Sequence, residues 1–155
     1  MGNILIWYTA TLGLLGYCAL LVFYLLRRRR NCFDLPTPVF DEFVEVGNVL
    51  LTGYLVHYVP YFFYDRTLFL HHYLPAYLYS IMLSAYFYSH VLRLAGGGGR
   101  LARCARAAMV GMWLVGVVYV FARFSVLSYA HKDLTAAEVR SLRWKDTWDL
   151  IIHKK

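Results

Sequence analysis

Between positions 54 and 79 this chain sets His57, Tyr61, Asp65, Arg66, His71 and His72 among further tyrosines, with apolar runs on both sides. Imidazoles donate or accept hydrogen bonds and carry protons near neutral pH. A guanidinium grips phosphate through two parallel hydrogen bonds. Together these groups could hold a ligand rich in phosphate and hydroxyl oxygens. The ionisable ones are costly near hydrocarbon, so their place is a watery edge or a functional cavity.

Other chemistries fit the pattern poorly. No H-x3-H or C-x2-C spacing offers a zinc site. A haem held by His57 and His71 would put both ligands near a rim rather than at mid-membrane. No Ser-His-Asp nucleophile arrangement stands out, and Asp146 and Asp149 lie among cations that oppose a raised pKa. No residue is therefore assigned as catalytic or as a metal ligand. The remaining candidates have structural readings too. Arg66 can close a turn with Asp65, the ordinary use of an interfacial ion pair. His71 and His72 can order a helix start or bond a neighbouring helix. The tyrosines can pack between helices with their hydroxyls at the interface. On residue type alone packing outweighs ligand contact for each.

The elements that must position these side chains are membrane helices. The chain has 155 residues, 60% of them hydrophobic, against roughly 45–50% in ordinary globular proteins; its mean hydropathy is +0.48. Positions 4–26 carry no charge, and about 23 residues make a helix of roughly 35 Å, enough to cross a bilayer core. That run lacks a basic n-region and exceeds the roughly 7–15 residues of a signal h-region, so it reads as a span rather than a cleavable signal. Trp7 and Tyr8 at one end and Tyr24 at the other read as an aromatic belt.

Four spans are expected, at about 4–26, 43–64, 68–92 and 107–125, forming a transmembrane module over 1–129. Residues 31–42, with Pro36, Pro38, Asp41 and Glu42, read as a loop. In the second span Tyr54, His57, Tyr58, Tyr61 and Asp65 share one helical face, and Pro60 should bend the helix. In the third, His71, His72 and Pro75 fall level with His57. Tyr73, Tyr77, Ser80, Ser84 and Tyr88 form a polar stripe expected to face protein rather than lipid. Arg93, the glycines at 96–99, Arg100, Arg103 and Arg106 read as a flexible basic loop; without a GK[ST] ending it is no phosphate loop. Ala107, Gly111 and Gly116 suit close helix contact in the fourth span. The polar tail, 130–155, carries a capping-box pair, Thr135 and Glu138, then Trp144 and Trp148 as anchors.

The net charge of +7 gathers in two arginine blocks beside apolar runs, where topology signals belong; this argues against nucleic acid as a partner. With both blocks in the cytosol the spans run out-in-out-in-out. Cys18, Cys32 and Cys104 show no pairing pattern and read as free thiols.

The stretch HYVPYFFYDRTLFLHHYLPAYLYS (57–80) resembles the C-terminal membrane module of protein O-mannosyltransferases, with FLHHYLPA its most specific part. The terminal SLRWKDTWDLIIHKK (141–155), with its paired tryptophans, resembles the same family's last luminal segment. The resemblance covers the whole chain. It implies an all-α membrane protein forming part of a larger GT-C-type glycosyltransferase fold, in the endoplasmic reticulum membrane with a luminal C-terminus. The implied reaction moves mannose from dolichyl-phosphate mannose to Ser or Thr hydroxyls of secretory-pathway proteins, with a second O-mannosyltransferase subunit as partner and no further cofactor. Arg66, His71, His72, His57 and Tyr61 would be the groups nearest donor or acceptor. The family's acidic Asp-Glu pair and its luminal repeat region have no counterpart here, so the chain is expected to be a C-terminal fragment inactive by itself. The competing expectation is a non-catalytic four-span assembly subunit.

Overall fold

The computed structural model describes residues 3–63, 70–96 and 99–129; within them the side chains at 70–72, 96 and 126–129 lie outside the description. All regular structure among the described residues is helical: α1 (Ile4–Arg29), α2 (Thr37–Tyr58) continued by a 3-10 segment (Val59–Phe63), α3 (Leu70–Gly96) and α4 (Arg100–Tyr129).

Asn3 begins α1. Its side-chain oxygen accepts from the backbone amides of Leu5 and Ile6, which have no intrahelical partner. Its Nδ2 donates to the Val117 carbonyl of α4 at 2.9 Å, so one residue caps α1 and ties it to α4. The end of α1 is equally specific. Asn31 takes a left-handed φ of 57°. The Cys32 amide donates to the Arg27 carbonyl and the Asn31 amide to that of Arg28, the Schellman closure in which Asn stands in for the usual Gly. Arg27 then forks onto Asp34, Nε at 2.9 Å and Nη2 at 2.6 Å. Arg28 lies 4.1 Å over the Phe40 ring and 3.8 Å from Asp41.

The expected loop at 31–42 is shorter than the prolines suggest. Thr37 opens α2 and Pro38 sits in its first turn, where the missing N–H and fixed φ do no harm. The basic loop shortens for a related reason: Arg100, Arg103 and Arg106 belong to the first turns of α4, with Arg103 N–H bonded to the Gly99 carbonyl. At Pro60 the α-helical pattern does stop, giving way to the tighter 3-10 segment.

α1 and α2 both pack along α3, and α4 touches α1 and α3 more sparsely. Trp7 meets Tyr73 and Tyr77, while Tyr24 meets His90; α1 therefore runs parallel to α3. Tyr58 meets Tyr73 and Phe43 meets Tyr86, so α2 runs against both. Asn3 reaches Val117 and Arg106 reaches Leu92, so α4 is antiparallel too. This up-down-up-down order brings the arginines at 27–30, Arg93, Arg100, Arg103 and Arg106 to one end, and His57, Tyr61 and the Arg123 turn of α4 toward the other.

The core is aromatic: Tyr17, Tyr24, Phe43 and Leu83 are its buried members. Tyr24 is thus no belt residue. It is buried, edge-on to Phe43, with its hydroxyl 3.3 Å from His90 Nε2. The stripe on α3 faces protein: Ser84 Oγ lies 2.6 Å from the Ala10 carbonyl, and the Tyr88 hydroxyl donates to the Thr9 carbonyl at 3.0 Å. The closest approaches use glycines of α1 and α2, and in α4 Gly116 comes close to Leu5 while Gly111 does not approach a neighbour. A Cβ at Gly13 would strike Ser84, one at Gly47 the Tyr17 phenol, and one at Gly53 the Tyr79 ring; at Gly111 it would meet nothing. Much of α4 is exposed, Met112 and Val115 included.

Among the described residues two helices, Ile4–Arg29 and Arg100–Ser125, are long and apolar enough to cross a membrane. α2 and α3 have comparable length, but Asp41, Glu42 and Glu45 charge the start of α2, and tyrosines dilute the apolarity of α3.

Candidate functional site

The end of the bundle opposite the arginines is an aromatic rim built from three helices. The Trp7 indole stacks on Tyr77 with centroids 4.4 Å apart and on Tyr73 at 5.3 Å. Tyr73 receives Tyr58 edge-on at 5.8 Å, and Tyr58 stacks on Tyr54 at 5.1 Å. Phe62 meets Tyr58 perpendicularly and, with Phe63, stands exposed at the outer edge. Such rings combine an apolar body with a polar tip, which suits the water–hydrocarbon boundary.

His57 occupies the last turn of α2. Its Nδ1 lies 2.7 Å from the Gly53 carbonyl. A carbonyl only accepts, so Nδ1 carries the hydrogen and, in the neutral ring, Nε2 is left as an acceptor. The ring stacks on Tyr79 at 5.3 Å, and Gly53 makes room for that tyrosine. The exposed imidazole is therefore held on one edge and one face. Tyr61, in the 3-10 segment, is partly buried. His71 and His72 contribute backbone to the first turn of α3, while their side chains lie outside the described residues, as do Asp65, Arg66 and the tail. His57 and Tyr61 thus share the rim by backbone position.

Residue type alone did not reveal Trp7 as the centre of the rim, because an indole near a helix start reads as an interface anchor. Its i, i+4 partners Tyr73 and Tyr77 were the available signal.

Electrostatically the two ends differ. The described carboxylates Asp34, Asp41, Glu42 and Glu45 all lie at the arginine end. Hydrogen bonding from Arg27 holds the Asp34 carboxyl below the ordinary carboxylate range. Cys18, Cys32 and Cys104 are free thiols.

These features define an all-helical bundle with two helices long and apolar enough to cross a membrane among the described residues, and similarity specifies its class. A family model described as the C-terminal four TMM region of protein-O-mannosyltransferase matches residues 1–148. Protein O-mannosyltransferase 1 of Drosophila melanogaster is 47% identical over 159 residues, covering 99% of this chain and 18% of the fly protein. Protein O-mannosyl-transferase 1 of Homo sapiens is 38% identical over 154 residues, covering 99% of this chain and 20% of the human protein. Protein O-mannosyl-transferase 2 of Drosophila melanogaster is 33% identical over 120 residues, 75% of this chain and 15% of that protein. No solved structure matches. The chain belongs to the protein O-mannosyltransferase family of glycosyltransferases and corresponds to its C-terminal membrane region. It spans about a fifth of the length of these relatives.

Proposed function

We propose that this chain is the C-terminal membrane module of a transferase that moves mannose from dolichyl-phosphate mannose to Ser and Thr hydroxyls of secretory-pathway proteins. The family match across residues 1–148 carries the reading. The module crosses the endoplasmic reticulum membrane four times as part of a GT-C-type fold, with both arginine-bearing connections in the cytosol and the aromatic rim and C-terminus in the lumen. The gathering of arginines at one end supports that orientation. A second O-mannosyltransferase subunit is its partner.

The chemistry limits what the module itself supplies. Transfer to a hydroxyl needs a carboxylate placed to take its proton. All the described carboxylates lie at the arginine end, a helix length from His57. The module is read as offering a rim beside donor or acceptor, with the base expected from the family's Asp-Glu pair in the rest of the enzyme. His57 presents Nε2 there, with Tyr61, Arg66, His71 and His72 as the other proximal groups.

The test is a chimera in which residues 1–155 replace the matching region of the fly protein. Mannose transfer from dolichyl-phosphate mannose to an acceptor peptide is expected to persist. Loss of transfer by a normally expressed, membrane-inserted chimera would count against the assignment. The isolated chain should transfer nothing. N-glycosylation sites inserted beside Asp65 and beside Gly97 report sidedness: sugar on the first alone is expected, and sugar on the second alone reverses the orientation.

A further inference from the structure

At the arginine end, a cavity of about 50 Å³ opens beside the α2–α3 contact, lined by Val39, Glu42, Tyr86, Ser89, His90 and Arg93 among others. That is room for several waters or a small charged head group. Its walls carry opposite charges, the exposed Glu42 and Arg93, neither of which enters an ion pair among the described residues. The buried His90, bonded to Tyr24, closes the inner side. One carboxylate and one guanidinium across a polar gap match a zwitterion.

The α3 wall continues toward mid-bundle as apolar surface through Met82 and Leu78, while on α2 the exposed Glu45 stands between Glu42 and Val49. Stepping along α2 from Glu42 at helical spacing reaches Val49, and along α3 from Tyr86 reaches Met82; both are exposed. The depth is that of a membrane interface, because Arg27 and Arg28 end α1 on the same level, a turn beyond the Tyr24 that bonds His90. A polar gap above an apolar strip suits a molecule with a charged head and hydrocarbon tails.

We propose that this cavity binds the head group of an ethanolamine phospholipid, with the phosphate on Arg93 and the primary ammonium on Glu42. Guanidinium and phosphate match in geometry. A primary ammonium brings N–H donors for the Glu42 carboxylate and the Ser89 hydroxyl. A quaternary choline ammonium brings none and favours a cage of several rings, whereas this lining holds one phenol, Tyr86, and one imidazole, His90. The assignment is independent of the mannosyl chemistry at the far end.

The 155-residue chain in nanodiscs holding equal ethanolamine and choline phospholipids of matched acyl chains, analysed by native mass spectrometry, tests this. The wild type is expected to retain ethanolamine lipid over choline lipid about tenfold, the ratio one charge-assisted hydrogen bond supplies. Glu42→Gln should bring the ratio near parity while lipid is still retained; Glu42→Asp should keep the preference. Arg93→Gln should lower retention of both. Excess O-phosphoethanolamine, which lacks tails, should displace nothing. Equal retention by the wild type, an undiminished preference in E42Q of unchanged helicity, or displacement by the tail-less head group would overturn the proposal.

Discussion

Tyr17 of α1 lies fully buried against Gly47 of α2, its hydroxyl 3.3 Å from the Phe43 carbonyl one helical turn away. The phenol occupies the space that any side chain at position 47 would fill. The polar atom finds a backbone acceptor at a fully buried position, and the ring tilts onto Phe43 at 4.9 Å. Among lipids, where apolar burial between helices contributes little, this close fit and its hydrogen bond decide how α1 meets α2.

Gly47→Ala is therefore expected to destabilise the bundle by ~1–3 kcal/mol, the usual range for overpacking. Gly111→Ala is the matched control, because a Cβ there meets nothing within 4 Å. Thermal unfolding in detergent should show a lowered Tm for the first and an unchanged or raised Tm for the second. Equal Tm values would mean that α1 and α2 do not pack this way.

Ser84 makes a parallel case between α1 and α3. Its hydroxyl reaches the Ala10 and Ser80 carbonyls, and its Cβ faces Gly13. Ser84→Ala should cost ~0.6 kcal/mol, an average interhelical hydrogen bond in a membrane. Ser84→Leu should cost several times more through collision with α1. If denaturant titrations rank the alanine variant as the worse, the contact has been misread.

Trp7 holds α1 to α3 at the rim through two stacks, each worth ~0.5–1.5 kcal/mol beyond area. Trp7→Ala should lower Tm and raise amide exchange in the first turns of α1, whereas Trp7→Phe should recover most of the loss. Exchange confined to the arginine end would contradict this placement.

Acid should loosen the opposite end. Asp34 is held below the ordinary carboxylate range chiefly by the Arg27 hydrogen bond. A depressed folded pKa contributes stability above the unfolded value, and that contribution disappears as pH falls through the folded one. Between pH ~7 and ~3 the wild type should lose stability at its acid side. Asp34→Asn should start lower and lack that part of the slope. Identical pH profiles would show that the fork does not hold in solution.

In the complete enzyme, His57→Phe preserves a ring to stack on Tyr79 but removes Nε2. If the rim touches donor or acceptor, mannose transfer should fall about tenfold, the loss of one hydrogen bond to a charged partner, with Tm unchanged. Full activity in this variant would remove His57 from the substrate-facing set.

Charge and apolar runs determined the helical class, and the arginine blocks with the histidine stretch between spans already implied two chemically unlike ends. The FLHHYLPA match carried the family. Element boundaries were less legible because Pro38 and the arginines of α4 act through position: a proline in a first turn opens a helix, and arginines just past a glycine join it. The tertiary structure decided which apolar or polar side chains meet. Tyr24 looked like an interface anchor, yet pairing α1 with α3 in parallel buried it beside His90. The tightest glycine contacts are at Gly13, Gly16, Gly47 and Gly53, since a missing Cβ has meaning only where another helix comes close. Local sequence carries periodicity and charge, which set what each helix is; the distance between two helices depends on both surfaces at once, and only folding brings them together.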